Sequence, residues 1–316
     1  MPALPVLLLV GGTGFVGGYL APELAMAFPS HRRVLMTRSA ATVAPAGWGL
    51  VQADIRDERA VDEVLENLRP ALIVHLAAQS AVAGDRKETW RANFGGTFNL
   101  AVAAKHHAPE GVFFFASSGE VYGRSFNLGP ATEDTCPQPL NAYAASKRAA
   151  ETMLQDILPA GTRLIIARAF NHTGPGQDER FVLPAFAAQI ARIEAGQAPP
   201  VIKVGNLDAE RDFLDVRDVT DAYVKLLQMG DGERHLINVA SGAARRIGNL
   251  LDDLLSLSAT SIRIETDSER LRPSDIPRAV GDTGKLRALT GWSPQRDFAT
   301  TIQDVLEWWR QRVLTK

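Results

Sequence analysis

The sequence predicts an α/β fold built on a doubly wound parallel sheet, and three observations carry that prediction. Short apolar runs alternate with helix-like segments through the first half of the chain, the pattern of strands covered on both faces. A glycine-rich turn follows the first of those runs directly. Beyond Phe170 the elements shorten and proline and glycine cluster at 173–176, 196–200 and 291–294, which reads as a smaller C-terminal lobe.

The apolar runs are "PVLLLVG", "RRVLMTR", "LVQADI", "ALIVHLAA", "GVFFFASS" and "RLIIARAF". The first is a buried strand rather than a secretion signal, because it lacks a basic leader and runs straight into "GGTGFVGG". Between the runs, segments 60–68, 90–105 and 144–158 carry apolar residues at helical spacing, and right-handed crossovers follow. In the second half "NHTGPGQ" is a turn-rich break, "LPAFAAQIARIEAG" is helical, and a loop leads into "ERDFLDVRDVTDAYVKLL". A final amphipathic helix over 298–313 carries Trp308 and Trp309 as packing residues. The expected division puts 1–170 and about 215–242 in one unit, and about 171–214 with 243–316 in the lobe.

Composition narrows the function classes. A chain of 316 residues with 46% hydrophobic and 22% charged residues is ordinary for a globular protein, so disorder is not expected. A formal net charge of -2 gives no global attraction to nucleic acid or anionic lipid, so any anionic ligand must be caught locally. The single cysteine, Cys136, excludes an intrachain disulfide and a multi-cysteine metal site. No run reaches the roughly 18 apolar residues of a membrane span, and the expected location is the cytoplasm.

Gly11, Gly14 and Gly17 fall three residues apart between the first strand and a helix, with Thr13, Phe15 and Val16 in the same turn. That arrangement lets a pyrophosphate approach backbone N–H groups at a helix N-terminus, the mark of a Rossmann-type nucleotide-binding unit. A site preferring NAD(H) would carry an acid at the end of the second strand, whereas this chain has "MTRSA". Arg38 there pairs with a 2′-phosphate and favours NADP(H), with NAD(H) still open and a solvated arginine the plainer alternative. By position, Asp54 and Ile55 border the adenine, and Leu76, Ala77 and Ala78 of "HLAAQS" run along the nicotinamide ribose.

Tyr143 and Lys147 stand one helical turn apart and project from one face. A cation there is expected to pull the phenol down from its ordinary value of about 10. Ser118, ending a strand, is placed to hold a substrate oxygen by hydrogen bond.

With these segments in view, the chain resembles the extended short-chain dehydrogenase/reductases that act on nucleotide sugars, the NAD-dependent epimerase/dehydratase family. The resemblance covers almost the whole chain through "GGTGFVGG", "HLAAQS", "NFGGT", "SSGEVYG", "NAYAASK", "FNHTGPGQ" and "RDFLDVRDV". Within that family "SSGEVYG", "ARAFNHTGPGQ" and "ERDFLDV" look most like the GDP-6-deoxy-D-mannose (GDP-4-keto-6-deoxy-D-mannose) reductases. The resemblance implies that Tyr143 donates a proton to the carbonyl oxygen, Lys147 holds the nicotinamide ribose, Ser118 orients the carbonyl and Asn93 supports the active-site helix.

It also implies a GDP-linked 4-keto-6-deoxy sugar as substrate. Arg211 and Arg272 are expected on its diphosphate with Asn171, while Asp275 accepts from a sugar hydroxyl or the purine edge. Gln79, Ser118, Gly119, Glu120 and Tyr143 would surround the hexose. Glu120 alone could serve as a base, which keeps a 4,6-dehydratase or a 4-epimerase open; in related dehydratases the residue before this glutamate is polar or acidic, whereas here it is Gly119. His75 and His172 lack companions at metal-ligand spacing, and no metal is expected. Segments 90–105 and 144–158 resemble the helix pair of a homodimer interface.

Overall fold

The computed structural model describes residues 4–39, 41–80, 85–230, 232–268 and 276–315. In chain order the strands are β1 (Val6–Val10), β2 (Arg32–Thr37), β3 (Gly49–Gln52), β4 (Leu72–His75), β5 (Val112–Ser118), β6 (Arg163–Ala169) and β7 (Asn171–Thr173). They continue as β8 (Val201–Val204), β9 (Glu210–Asp215), β10 (His235–Val239), β11 (Ala244–Arg246), β12 (Arg263–Thr266) and β13 (Arg278–Ala279). The α-helices are α1 (Phe15–Ala27), α2 (Glu58–Leu68), α3 (Arg86–Trp90), α4 (Gly96–His107) and α5 (Ala142–Ile157), then α6 (Val182–Glu194), α7 (Val216–Gln228), α8 (Ile247–Ser256), α9 (Gly284–Thr290) and α10 (Phe298–Leu314).

Seven strands form one parallel sheet in the order β3-β2-β1-β4-β5-β6-β10. The six apolar runs supply β1 to β6, and the seventh strand, "HLINV", was not among them. The chain reverses direction of growth between β1 and β4, which opens a crevice at their C-terminal ends. Strand periodicity explains the apolar runs: Phe114 joins Leu7, Leu9 and Ile165 on the face covered by α1 and α7, while Phe113 and Phe115 join Leu8, Ile73 and Ile166 under α2, α4 and α5.

The expected helix over 90–105 is broken by a π turn at Arg91–Gly95 between α3 and α4. The wider turn carries Asn93 inward and ends in a glycine pair, Gly95 and Gly96, two residues of poor helix propensity. Helix α5 starts at Asn141, whose Oδ1 accepts from the Ala144 N–H at 2.8 Å.

In the second half β9 is central to a small sheet, flanked by β11 and β13 and paired with β7. A separate hydrophobic core joins Phe186 and Ile190 of α6, Ile202 of β8, Leu251 of α8 and Val305 and Leu306 of α10. Trp309 is buried in that core with the Trp308 ring packed edge-on at 5.0 Å, the packing role read from the sequence. Leu286 and Trp292, although late in the chain, pack into the core of the seven-stranded sheet.

Candidate active site

The glycine turn forms a cradle at the crevice. Gly11 has φ +88, and a Cβ there would lie 2.5 Å from the Ala77 nitrogen, so only glycine lets the β4 loop cross so closely. Leu76 and Ala77 both donate their N–H to the Val10 carbonyl, at 2.8 and 3.1 Å. Gly14 caps α1 without a side-chain bond, which leaves the helix's first N–H groups for an anion, with Thr13 exposed and Phe15, Val16 and Gly17 forming the first turn. Arg38 is exposed at the end of β2.

Asp54 is oriented by Arg56, which grips its carboxylate through Nε at 3.0 Å and Nη2 at 2.7 Å and also pairs with Glu88 at 2.7 Å. Those bonds hold the Asp54 carboxyl below its usual range against the opposing effect of burial, with Arg38 adding a smaller pull. Arg56 thus fixes the orientation of the carboxylate at the rim of the cradle, which fits a phosphate-bearing nucleotide. Ile55 beside it is buried, its carbonyl accepting from Asn99 at 3.0 Å.

Asn93 pins the next wall. Its Oδ1 accepts from the Gln79 N–H at 2.7 Å, and its Nδ2 donates to the Gln79 carbonyl at 3.1 Å and to Ser146 Oγ at 3.2 Å. Ser146 in turn donates to the Tyr143 carbonyl at 2.8 Å, so the loop holding Ala78 and the helix holding Tyr143 are fixed to one side chain. His75 is buried beneath with Nε2 at 2.9 Å from Thr97 Oγ1, and burial with the nearby Lys147 pushes it down to about 3. Thr97 spends its own proton on the Asn93 carbonyl at 2.6 Å, so His75 Nε2 carries the hydrogen. His172 is stacked on Phe15 with ring centroids 6.3 Å apart, its Nδ1 donating to the Phe170 carbonyl at 2.9 Å. Among the described residues no group of three or more His, Cys, Asp or Glu is placed to hold a metal ion.

Ser118, Glu120, Tyr143 and Lys147 meet at the C-terminal end of β5. Ser118 Oγ accepts the Glu120 N–H at 3.1 Å, and its hydroxyl is hydrogen-bonded to the Tyr143 phenol. Lys147 is buried, with Nζ donating to the Ala116 carbonyl at 2.7 Å and lying 4.6 Å from the centre of the Phe115 ring. The shift of Tyr143 runs opposite to the sequence expectation: burial and the Glu120 carboxylate raise the phenol, and Ser118 only partly opposes them. It is Lys147 that moves down, to about 7, because burial outweighs the attraction of Glu151. The site so arranged holds a protonated phenol beside a lysine poised near neutrality.

Gly119 has a steric cause. A Cβ there would stand 2.9 Å from two carbons of the Phe170 ring, which is itself packed against Tyr122 and Phe126. Glu120 keeps its carboxylate at the site, its Oε2 accepting from Asn141 Nδ2 at 3.0 Å. Asn141 thus caps the catalytic helix and orients Glu120 together.

On the lobe side Asn171 begins β7, opposite Phe213 of β9. Arg211 donates from Nη1 to the Glu210 carbonyl at 2.7 Å; burial lowers its guanidinium while Glu120 raises it, so Arg211 lies within electrostatic reach of Glu120. Arg272 and Asp275 lie outside the described residues. Sequence reasoning missed Phe170, Asn141, Glu151 and Arg168. Of these, Glu151 had a signal in the sequence, since "YAASKRAAE" puts Tyr143, Lys147 and Glu151 at successive helical turns.

A family model described as GDP-mannose 4,6 dehydratase matches residues 8–305. The chain belongs to that family. It is therefore an NAD(P)-dependent oxidoreductase of the extended short-chain class, as the resemblance implied. It is 35% identical to a GDP-6-deoxy-D-mannose reductase of Pseudomonas aeruginosa, over 97% of this chain and 98% of that one. It is 27% identical to a GDP-6-deoxy-D-talose 4-dehydrogenase of Aggregatibacter actinomycetemcomitans, over 95% of both chains. Its fold matches the structure of RMD from Pseudomonas aeruginosa complexed with NADPH with a TM-score of 0.81, at 34% identity over 96% of this chain and 99% of the other. These likenesses support activity of the GDP-sugar reductase or dehydratase type.

Proposed function

We propose that this protein reduces the C4 ketone of a GDP-linked 4-keto-6-deoxyhexose to a GDP-6-deoxyhexose of the GDP-D-rhamnose type, with NADPH as donor. The observation that carries this reading is the Phe170 ring closing the space beside Gly119, so that position 119 supplies no polar or acidic side chain for dehydration chemistry at the hexose. Reduction needs only a held carbonyl and one proton. When bound, the cofactor supplies the hydride. Ser118 holds the carbonyl oxygen by a hydrogen bond from its hydroxyl and keeps its proton, and Tyr143, kept protonated by burial and Glu120, transfers the one proton as that oxygen becomes an alkoxide. Lys147 holds the nicotinamide ribose.

The α1 N-terminus takes the pyrophosphate, and the exposed Arg38 takes the 2′-phosphate; without it the cradle would accept NAD(H). We place the sugar nucleotide against the lobe of about 171–214 and 243–316, with Arg211, Arg272 and Asn171 on the diphosphate, Asp275 on a hydroxyl or the purine edge, and Gln79 beside the hexose. Trp90 and Phe98, each 40% exposed, continue through Phe94 as an aromatic ladder along α3 and α4, which supports a homodimer through this face. No helix among the described residues is long and apolar enough to cross a membrane, and we assign the enzyme to the cytoplasm.

One observation favours a second reading. Glu120, oriented by Asn141 toward the site, could remove a proton from the hexose, as in a 4,6-dehydratase, and an internally recycled cofactor would also serve a 4-epimerase. A panel of nucleotide-linked 4-keto-6-deoxy sugars with NADPH, followed by product stereochemistry, tests the proposal. Turnover limited to the GDP sugar supports it; no NADPH consumption with any member refutes it.

A further inference from the structure

Behind the catalytic residues, the side of the seven-stranded sheet facing α5 changes from apolar to polar. Asn238, Arg168 and Ser117 are register partners across β10, β6 and β5, one step beyond the apolar row of Leu236, Ile166 and Phe115. All three polar side chains are buried, and Arg168 is 1% exposed. Glu151 comes down onto this row from α5, fully buried. Its Oε1 accepts from Ser117 Oγ at 2.6 Å and from Arg168 Nε at 2.9 Å; its Oε2 accepts from Arg168 Nη2 at 2.6 Å and from Arg148 Nη1 at 3.2 Å. Arg168 lies over the Tyr122 ring, 4.7 Å from its centre, and Tyr122 donates to Asn238 Oδ1 at 2.7 Å.

A buried ion pair is a poor way to stabilise a fold, because desolvation takes back most of the attraction and a well-packed apolar pair usually does as well. Here the pair bonds to the segments that carry the catalytic group, through Ser117 and Tyr122. Ser117 precedes Ser118, Tyr122 closes the turn that holds Glu120, and Glu151 lies one helical turn beyond Lys147. The groups facing Lys147 are His75 from β4, neutral and buried; the Ala116 carbonyl and Phe115 ring from β5; and Tyr143 and Glu151 from α5, with Arg168 of β6 behind Glu151. The carboxylates at the site are Glu120, on the turn after β5, and Glu151, buried one turn along the helix that carries Lys147 and held in place by Arg168, with Arg148 also on its carboxylate.

We propose that Glu151 is a positioning residue: ion-paired with Arg168, it is the fixed counter-charge that keeps Lys147 protonated and so able to hold the cofactor ribose. This rests on the role given to Lys147 above. Burial alone would leave the lysine neutral, and a neutral amine is a weaker donor to ribose hydroxyls. The direction of the Lys147 shift agrees, since Glu151 raises it against burial.

The test needs no sugar substrate, so it is independent of which reaction the enzyme performs. The protein is labelled with 13C at lysine Cε, the Lys147 resonance is assigned by its loss in Lys147→Met, and its titration is followed from pH 5 to 10 in the parent and in Glu151→Gln. NADPH affinity is measured by fluorescence at the same pH values. Because Glu151→Gln leaves Arg168 buried and unpaired, the titrations are repeated on the doubly neutral variant Glu151→Met with Arg168→Met. The expected result is a Lys147 midpoint lowered by about one pH unit or more in every folded variant, with NADPH binding failing at correspondingly lower pH. A parental midpoint and parental pH dependence of NADPH binding in the folded double variant would overturn the proposal and leave the pair a packing feature.

Discussion

The Phe170 ring occupies the space that any side chain at Gly119 would need, with a Cβ there held to 2.9 Å from the ring. The ring has little room to retreat, because a Cβ at Gly281 would approach it to 2.6 Å from another direction. Gly119→Ser should therefore destabilise the protein by about 1–3 kcal/mol, the usual cost of overpacking. Adding Phe170→Ala opens the space, so the cost of Gly119→Ser should vanish against the Phe170→Ala background. Thermal melts of the four proteins in that cycle measure the coupling; strictly additive effects would show that the contact does not restrict position 119.

Tyr143→Phe removes one hydroxyl and keeps the ring. Turnover should fall about 100-fold to 10,000-fold, the range for losing a general acid, with NADPH affinity close to that of the parent. Turnover within about threefold of the parent would remove the phenol from proton transfer.

Arg38→Asp puts a negative charge where the 2′-phosphate is placed. The ratio of kcat/KM for NADPH over NADH should drop by about tenfold to a hundredfold, as expected for losing a charge-assisted bond. An unchanged ratio assigns the phosphate to another group.

Lys147 links stability to pH. Its folded value of about 7 lies below the ordinary lysine value of about 10.4, so between the two the unfolded chain binds more protons. The cofactor-free parent should thus gain stability as pH rises through 7 toward about 10, relative to a protein without this amine. Lys147→Met should melt higher than the parent at pH 6, and that advantage should shrink across the same window. A constant difference in Tm would show that the amine is not titrating there.

Much of this was legible in the residues because it is local. Alternating apolar runs announced β1 to β6, and the spacing of Gly11, Gly14 and Gly17 or of Tyr143 and Lys147 follows from backbone geometry alone. Contacts between distant segments were not legible. Phe170 meets Gly119 only because β6 lies beside β5, and Asn141 reaches Glu120 across a long loop. The direction of the Tyr143 shift was misread for the same reason: helical spacing gives the neighbouring charge, whereas burial and the approach of Glu120 come from the tertiary structure. The strand at His235–Val239 was passed over because its five residues carry two polar ones, His235 and Asn238, both of them buried.

The most direct test of the reductase assignment is a pair of incubations with the purified protein. One receives GDP-mannose with catalytic NADP⁺, and the other receives the 4-keto-6-deoxy derivative with NADPH. The account predicts NADPH oxidation matched by a GDP-6-deoxyhexose in the second and no 4-keto sugar in the first. Stoichiometric 4-keto product in the first, with no NADPH consumed in the second, would contradict it and make Glu120 a dehydratase base.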